Sequence, residues 1–505
     1  MGIFSNRNTT RRITTKDFYF GAPEAEGENL KGCSLTDYFE DYLDILGELQ
    51  KGKFIFVGRK GVGKSAIAKF IKDKSDNSDD SFATILRISD LKLEKHIQFD
   101  GESDHFETLL FEWLILINTV KLIVNNKCGM YTAEYDKLKK FLEKNTGSVE
   151  IDKFQVNEKL IKSGGEINFG ILTHSYGGVL KKYFDTKTTK APFYKLISPL
   201  KDILKIILEY SANQDFEFWL LFDDLDINYD INSDIDNQKI IELIRIAKYY
   251  NNEIFKKNNA KILIFIRDDI RNFIISKYSD SAKIFNSYEI IINWYNHTLS
   301  LTDENKNPLK RMANKRIEIN FQKHNIAIQG DAWAALIKNE NYGASHNFKS
   351  SFKYILDFTF YRPRDIITFL KTISSENYSY PIQSDTLKKI LEKYIEINIS
   401  EIKSELSLFF KETDKDKIFR ELFPFIANNS RLSYNEVLEK ISDIGFSLDC
   451  HTVMKFLVGY SLLIYQSQQG ELFFNYREDN IEAYDIEDFT ISLPKCIYHY
   501  YRPIN

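Results

Sequence analysis

Lys53-Phe54-Ile55-Phe56-Val57-Gly58-Arg59-Lys60-Gly61-Val62-Gly63-Lys64-Ser65-Ala66 decides the architecture of this chain. A short apolar run enters a glycine-rich turn, and helical spacing resumes at Ala66 and continues to Ile71, which reads as strand, loop, helix. Gly58 to Ser65 satisfies GxxxxGK[ST] in full. Glycines leave room for backbone N–H groups to turn inward around an anion, and the following helix aims the positive end of its dipole at the same point. In such a turn Lys64 sets an ammonium against the β- and γ-phosphates of a nucleotide, and Ser65 offers its hydroxyl to Mg2+. A bare glycine turn without a ligand is the competing reading, and the flanking strand and helix count against it. Gly58, Arg59, Lys60, Gly61, Val62, Gly63, Lys64, Ser65 and Ala66 are therefore the expected nucleotide-binding residues.

Such a loop needs a carboxylate on a neighbouring strand, and Phe218-Trp219-Leu220-Leu221-Phe222-Asp223-Asp224-Leu225-Asp226 supplies one. A buried strand ends in acids at the edge where ligands sit in parallel sheets. Asp223 is expected to hold Mg2+ through water, and Asp224 to polarise the attacking water as general base. Asp226 either supports the metal shell or caps the turn. For Asp223 the bland alternative is a strand-end turn carboxylate.

Working outward, residues 82–88, 262–266 and 288–292 are further strand candidates. Helices are expected within 104–145 and over 193–210, 236–256 and 268–279, and a glycine-rich β-hairpin over 163–182. Strands alternating with helices imply an α/β class with a mostly parallel sheet covered on both faces. The expected layout is a polar, irregular arm over 1–33, an α/β nucleotide-binding core over 34–293 carrying helical and hairpin insertions, a helical lid over 294–396, and a C-terminal module over 397–505. In that last module two helices and a hairpin near 462–476 give the outline of a winged helix.

Two arginine positions stand out. Arg267 follows the strand at 262–266 and so emerges at the same sheet edge as the glycine turn; it senses the γ-phosphate or pairs with Asp268, Asp269 or a nearby carboxylate. Tyr361-Arg362-Pro363-Arg364-Asp365 precedes a helix at 366–373, and Arg364 either reaches a phosphate from the lid or sits on a solvated helix start. One motif is a decoy. Thr173-His174-Ser175-Tyr176-Gly177-Gly178 approaches a nucleophile elbow, but Thr173 stands where glycine is required.

Composition narrows the class further. The 505 residues are 43% hydrophobic and 28% charged with a net charge of -4, which fits a folded protein and argues against coating nucleic acid by charge alone. Cys33, Cys128, Cys450 and Cys496 show no CxxC or zinc spacing, so free thiols in a reducing cytoplasm are expected. The eight histidines lack metal-binding spacing. The most apolar segment, 109–124, is interrupted by Glu112, Asn118 and Lys121, as a buried helix would be, and no membrane association is expected. Met1 to Asn6 misses the myristoylation pattern because Asn6 replaces Ser or Thr.

Taken in order, Gly58 to Ala66, Asp223 to Asp226, Arg267 to Ile270 and Arg362 to Asp365 make the chain resemble bacterial P-loop ATPases of the AAA+/STAND kind. The nearest likeness is to a group with GRKGxGKSA, DDLD and RPRD motifs and a C-terminal winged helix. That resemblance implies a P-loop NTPase core with ATP and Mg2+ as ligands. It also implies Lys64, Asp224 and Arg267 as catalytic residues, with Arg364 or Arg362 as the lid sensor. It further implies an oligomerising switch, or one that recruits an effector protein, in defence against phage or mobile elements. No NKxD motif favours GTP. Two alternatives stand beside it: a DNA-binding regulator or loader docking its winged helix on duplex DNA, and a nucleotide-binding scaffold with negligible turnover. Lys440, Lys455 and Arg477 lie among Asp443, Asp449, Glu471, Glu478 and Asp479, which favours a protein-contact role for that module over phosphate binding.

Overall fold

The computed structural model describes residues 13–25, 35–87, 106–146, 166–168, 190–212, 215–226, 229, 233–255, 260–295, 303–343, 348–407, 409–429, 431–477 and 489–504. The chain forms two compact units. One comprises Leu43–Lys60 and Lys64–Ile292; the other comprises Met1–Tyr42, Gly61–Gly63 and Asn293–Asn505. Residues 294–396 and 397–505, expected as two domains, both belong to the second unit.

The first unit carries strands β1 (Ile55–Val57), β2 (Ser81–Arg87), β3 (Glu166–Asn168), β4 (Lys190–Pro192), β5 (Glu217–Asp223), β6 (Ala260–Ile266) and β7 (Glu289–Ile291). Five of them form a parallel sheet in the order β2-β5-β6-β1-β7. These are the five strands expected from the apolar runs. A parallel sheet must be covered on both faces, and Ile55, Phe56 and Val57 are accordingly at most 2% exposed. Phe56 stacks on Phe265 of the adjacent strand with ring centroids 4.8 Å apart. The helix Lys64–Asp76 buries Ile67, Ala68 and Ile71, and Asp234–Tyr249 buries Ile240, Ile241, Leu243 and Ile244. The helix Phe106–Asn125 is apolar nearly all round because it runs inside the unit, with Trp113 through Ile117 fully buried.

The hairpin expected within 163–182 differs. β3 pairs antiparallel with β4, beyond the expected end, and residues 169–189, including Thr173 to Gly178, lie outside the described residues. A three-residue strand reading Lys-Ala-Pro has no alternation to betray it.

In the second unit the helices Pro308–Lys323, Pro363–Ser374 and Ser384–Leu406 supply most of the apolar faces. The N-terminal segment, expected as an irregular arm, packs here over its described part. Phe18 lies 5.3 Å from Phe321 and 5.4 Å from Tyr380 between ring centroids. Arg316 Nη1 donates to the Phe20 carbonyl at 2.8 Å, and Thr15 Oγ1 to that of Glu376 at 2.7 Å. Two aromatics two residues apart in a polar stretch suffice to anchor it. Toward the C-terminus, β8 (Leu432–Ser433), β9 (Ile464–Ser467), β10 (Leu472–Phe473) and β11 (Phe489–Ser492) form an antiparallel sheet in the order β10-β9-β11-β8. The helices Tyr434–Ile444 and Cys450–Gly459 accompany it, the first opened by a capping box of Ser433 and Glu436.

Candidate active site

The glycine-rich turn leaves β1 and enters the helix at Lys64. Gly61 and Gly63 have φ of 83° and 100°, a left-handed conformation that other L-residues adopt at a cost. Lys64 folds its ammonium back over the turn, donating to the Gly58 carbonyl at 2.8 Å and the Arg59 carbonyl at 3.1 Å. Burial lowers the Lys64 pKa, opposed chiefly by Asp226 and Asp268. At the next residue, the Ser65 hydroxyl lies near the Asp223 carboxylate and draws its pKa down. Asp223 is 3% exposed. Its carboxyl is pushed up to about 6 by burial and by the neighbouring Asp224, against the pull of Ser65.

Across the sheet, β2 and β5 run parallel with Arg87 opposite Asp223. Arg87 Nε lies 2.9 Å from Asp224 Oδ2. Asp224 itself has φ of 54°, a turn conformation Asp tolerates better than most residues. No sequence motif names Arg87, although a basic residue ending a strand at the acidic edge was a usable signal. β6 lies between β5 and β1, so Arg267 at its end falls between the two motifs. Arg267 is 3% exposed, and its guanidinium meets Asp269 through Nε at 3.1 Å and Nη2 at 2.5 Å, with Nη1 3.3 Å from Asp226. Asp226 is thus an arginine partner, and its carbonyl also accepts from Tyr229 N at 3.3 Å in the turn. Asp268 is raised by burial and by Asp269, with Arg59 the first of the cations opposing that.

The second unit contains the tip of the turn. Trp294 Nε1 donates to the Val62 carbonyl at 2.8 Å, and the Trp294 ring lies 4.2 Å from that of Tyr42. Nothing in the motif names Trp294, but a tryptophan just past an apolar strand, in a chain with four, was the available hint. Arg364 N donates to the Gly61 carbonyl at 3.4 Å. A Cβ on Gly61 would stand 3.3 Å from Arg364 Cβ and 3.5 Å from Arg362 Cδ, so this glycine also serves close approach.

The two arginines differ sharply. Arg362 is 4% exposed, with Nη2 2.9 Å from Asp365 Oδ1 and Nη1 3.1 Å from Glu405 Oε1. Burial alone would lower its pKa, and Asp365 and Glu405 more than reverse that. Asp365 also accepts from Phe360 N at 2.7 Å, which closes the turn. Arg364 forms no ion pair within the described residues. It is the main charge pulling Glu401 down against the burial that raises it.

Residues 307–403, which include both arginines, match the FunZ-associated C-terminal helical domain. No curated protein matches the chain in sequence. A Walker-type ATPase of Pyrococcus abyssi is similar over 92% of this chain and 96% of its own, at 10% identity and a TM-score of 0.40.

Two outcomes follow from burial and pairing. Ionised Asp223 destabilises the fold above a pH of about 6, by about 3 kcal/mol at most, and that cost vanishes below the unfolded pKa of about 4. Without nucleotide or divalent cation, Asp223→Asn should therefore melt above wild type at about pH 8 and lose the advantage by about pH 4 to 5. Equal melting at the higher pH would show that Asp223 bears no such penalty. In urea denaturation, Arg362→Ala is expected to lose about 3–5 kcal/mol by stranding Asp365 and Glu405, whereas Arg364→Ala should stay within about 1 kcal/mol.

Proposed function

We propose that this chain is a Mg2+-dependent ATPase whose nucleotide state is read by Arg364. The observation that carries this is that the turn leaving β1 and the acid ending β5 meet at one sheet edge, where Ser65 draws down the Asp223 pKa. It joins the hydroxyl of GxxxxGK[ST] to the first carboxylate of the acidic strand, two oxygen donors that a hard cation requires. Ser65 directly, and Asp223 through water, would hold Mg2+, which when bound supplies neutralisation of charge on the phosphates.

Lys64 exchanges its two carbonyl contacts for β- and γ-phosphate oxygens, a gain in charge complementarity at little geometric cost. The backbone N–H groups of Gly58 to Ser65 and the N-terminus of the helix Lys64–Asp76 add to that attraction. Asp224 takes the proton from the attacking water, and Arg87 holds it until substrate arrives. Arg267 stands between the two motifs and steadies the acidic edge through Asp226 and Asp269; contact with the γ-phosphate would require it to give up one of these. Arg364 forms no ion pair within the described residues, its charge only offsetting part of the burial of Glu401, and it packs against Gly61, so it rather than Arg362 is assigned the lid-sensor role. On the resemblance of the motif series, the output is self-association or capture of a partner protein, in defence against phage or mobile elements.

Lys64→Ala should weaken ATP binding about a hundredfold or more. Asp224→Asn should bind ATP within a few-fold of wild type and lose about a hundredfold or more in turnover. Calorimetric titration with Mg-ATP and a phosphate-release assay decide both, and normal turnover by Asp224→Asn would remove the assignment of the base. Light scattering of that variant with and without ATP tests the switch: an unchanged mass, with nothing co-purifying, would leave an ATPase without the proposed output.

A further inference from the structure

Arg477 lies in the C-terminal module, just after β10, yet its guanidinium carbon is surrounded by aromatic rings from three parts of the second unit. The ring centroids lie at 4.2 Å for Phe474, 5.0 Å for Tyr295, 5.7 Å for Tyr476 and 5.8 Å for Tyr361. Its Nε has no hydrogen-bond partner within the described residues, and Nη1 reaches the Leu472 carbonyl only at 3.4 Å. The cation is therefore held by ring faces together with the phenolic oxygen of Tyr476. The rings also hold one another. Tyr361 stacks on Tyr476 at 5.7 Å and 29°, and meets Tyr295 edge-on at 5.0 Å and 76°.

Tyr361 is the residue immediately before Arg362, and its φ is 55°. A bulky aromatic residue rarely adopts that left-handed conformation and needs its surroundings to hold it there. The conformation sets the direction in which the chain enters Arg362, Pro363 and Arg364, and Arg364 is the residue packed on Gly61. Tyr361 N also donates to Thr359 Oγ1 at 3.2 Å, but that bond is local to the turn. Among the described residues, the aromatic clamp ties Tyr361 itself to the segment after β10.

We propose that Arg477 is a positioning residue for Arg364: the ring-bound cation fixes Tyr361 and thereby links the C-terminal module to the nucleotide sensor. The inference rests on the sensor role assigned to Arg364 above. A movement of β10 that withdraws Arg477 relaxes Tyr361 and turns Arg364 away from Gly61; binding of ATP at the turn, through Arg364, steadies the module in return.

A double-mutant cycle in ATP turnover tests this. Arg477→Ala should lower kcat/KM for ATP about tenfold, as expected for loss of a desolvated cation–π contact. In an Arg364→Ala background the same change should cost less than about twofold, because there is no sensor left to position. Arg477→Gln, which keeps the stem and removes the charge, carries the same expectation and is used if the alanine variant is too unstable to purify. Arg477→Lys should recover part of the loss. Equal losses in both backgrounds, or no loss in the first, would overturn the positioning role while leaving the ATPase intact. A wild-type chain that neither binds nor hydrolyses Mg-ATP would instead sink the sensor assignment, and this inference with it.

Discussion

The approach of a serine hydroxyl to a buried carboxylate is the constraint on which the sheet edge of the α/β unit turns. Ser65 belongs to the first turn of the helix that follows β1, and Asp223 ends β5. β6 lies between those strands, so the two backbones are separated by two strand spacings, roughly 9–10 Å. Side chains as short as Ser and Asp can meet over that gap only if the helix leans across the end of β6. The residue that ends β6 must then lie beneath or beside the contact, and that residue position leads directly to Arg267. Strand order, helix placement and the site of the arginine are thus one geometric fact.

Packing so many acids at one sheet edge has to be offset locally. Asp223, Asp224, Asp226, Asp268 and Asp269 face Lys64, Arg59, Arg87 and Arg267. Arg267 uses a planar fork on Asp269, a geometry a lysine could not reproduce. Asp223 is the acid this network serves least well: burial dominates its titration, and a neutral hydroxyl is its main relief. The divalent cation proposed to bind there would offset that penalty, so that its binding would stabilise the fold.

Much of this was legible in the chain. The run ending at Val57, the glycine spacing and the acids after Phe222 announce themselves by local pattern, because backbone geometry and strand burial are local requirements. All five sheet strands were recoverable on the same ground. Pairing across the sheet was not, since Arg87 and Asp224 are far apart in sequence and neither sits in a motif that names the other. Trp294 was visible only as a boundary. The packed N-terminal segment was hidden by its polarity, since Phe18 and Phe20 are too few to register as a pattern. The arginine pair posed a different difficulty: Arg362 and Arg364 are chemically identical in the sequence, and only the positions of Asp365 and Glu405 separate them.

That separation decides what each arginine is free to do. A buried guanidinium held by two carboxylates is expensive to withdraw, because each partner would be left charged and unpaired in a low-dielectric site. Arg362 is thus bound to its turn, and its charge serves the shape of Phe360 to Asp365. Proline at 363 fixes φ at the start of the helix and costs no hydrogen bond there, so the rigidity passes on to the next residue. Arg364 inherits a fixed backbone and, within the described residues, a side chain without an ion pair. A sensor needs that combination, since a mobile backbone would forfeit the energy of phosphate contact in ordering, and a paired side chain would forfeit it in exchange.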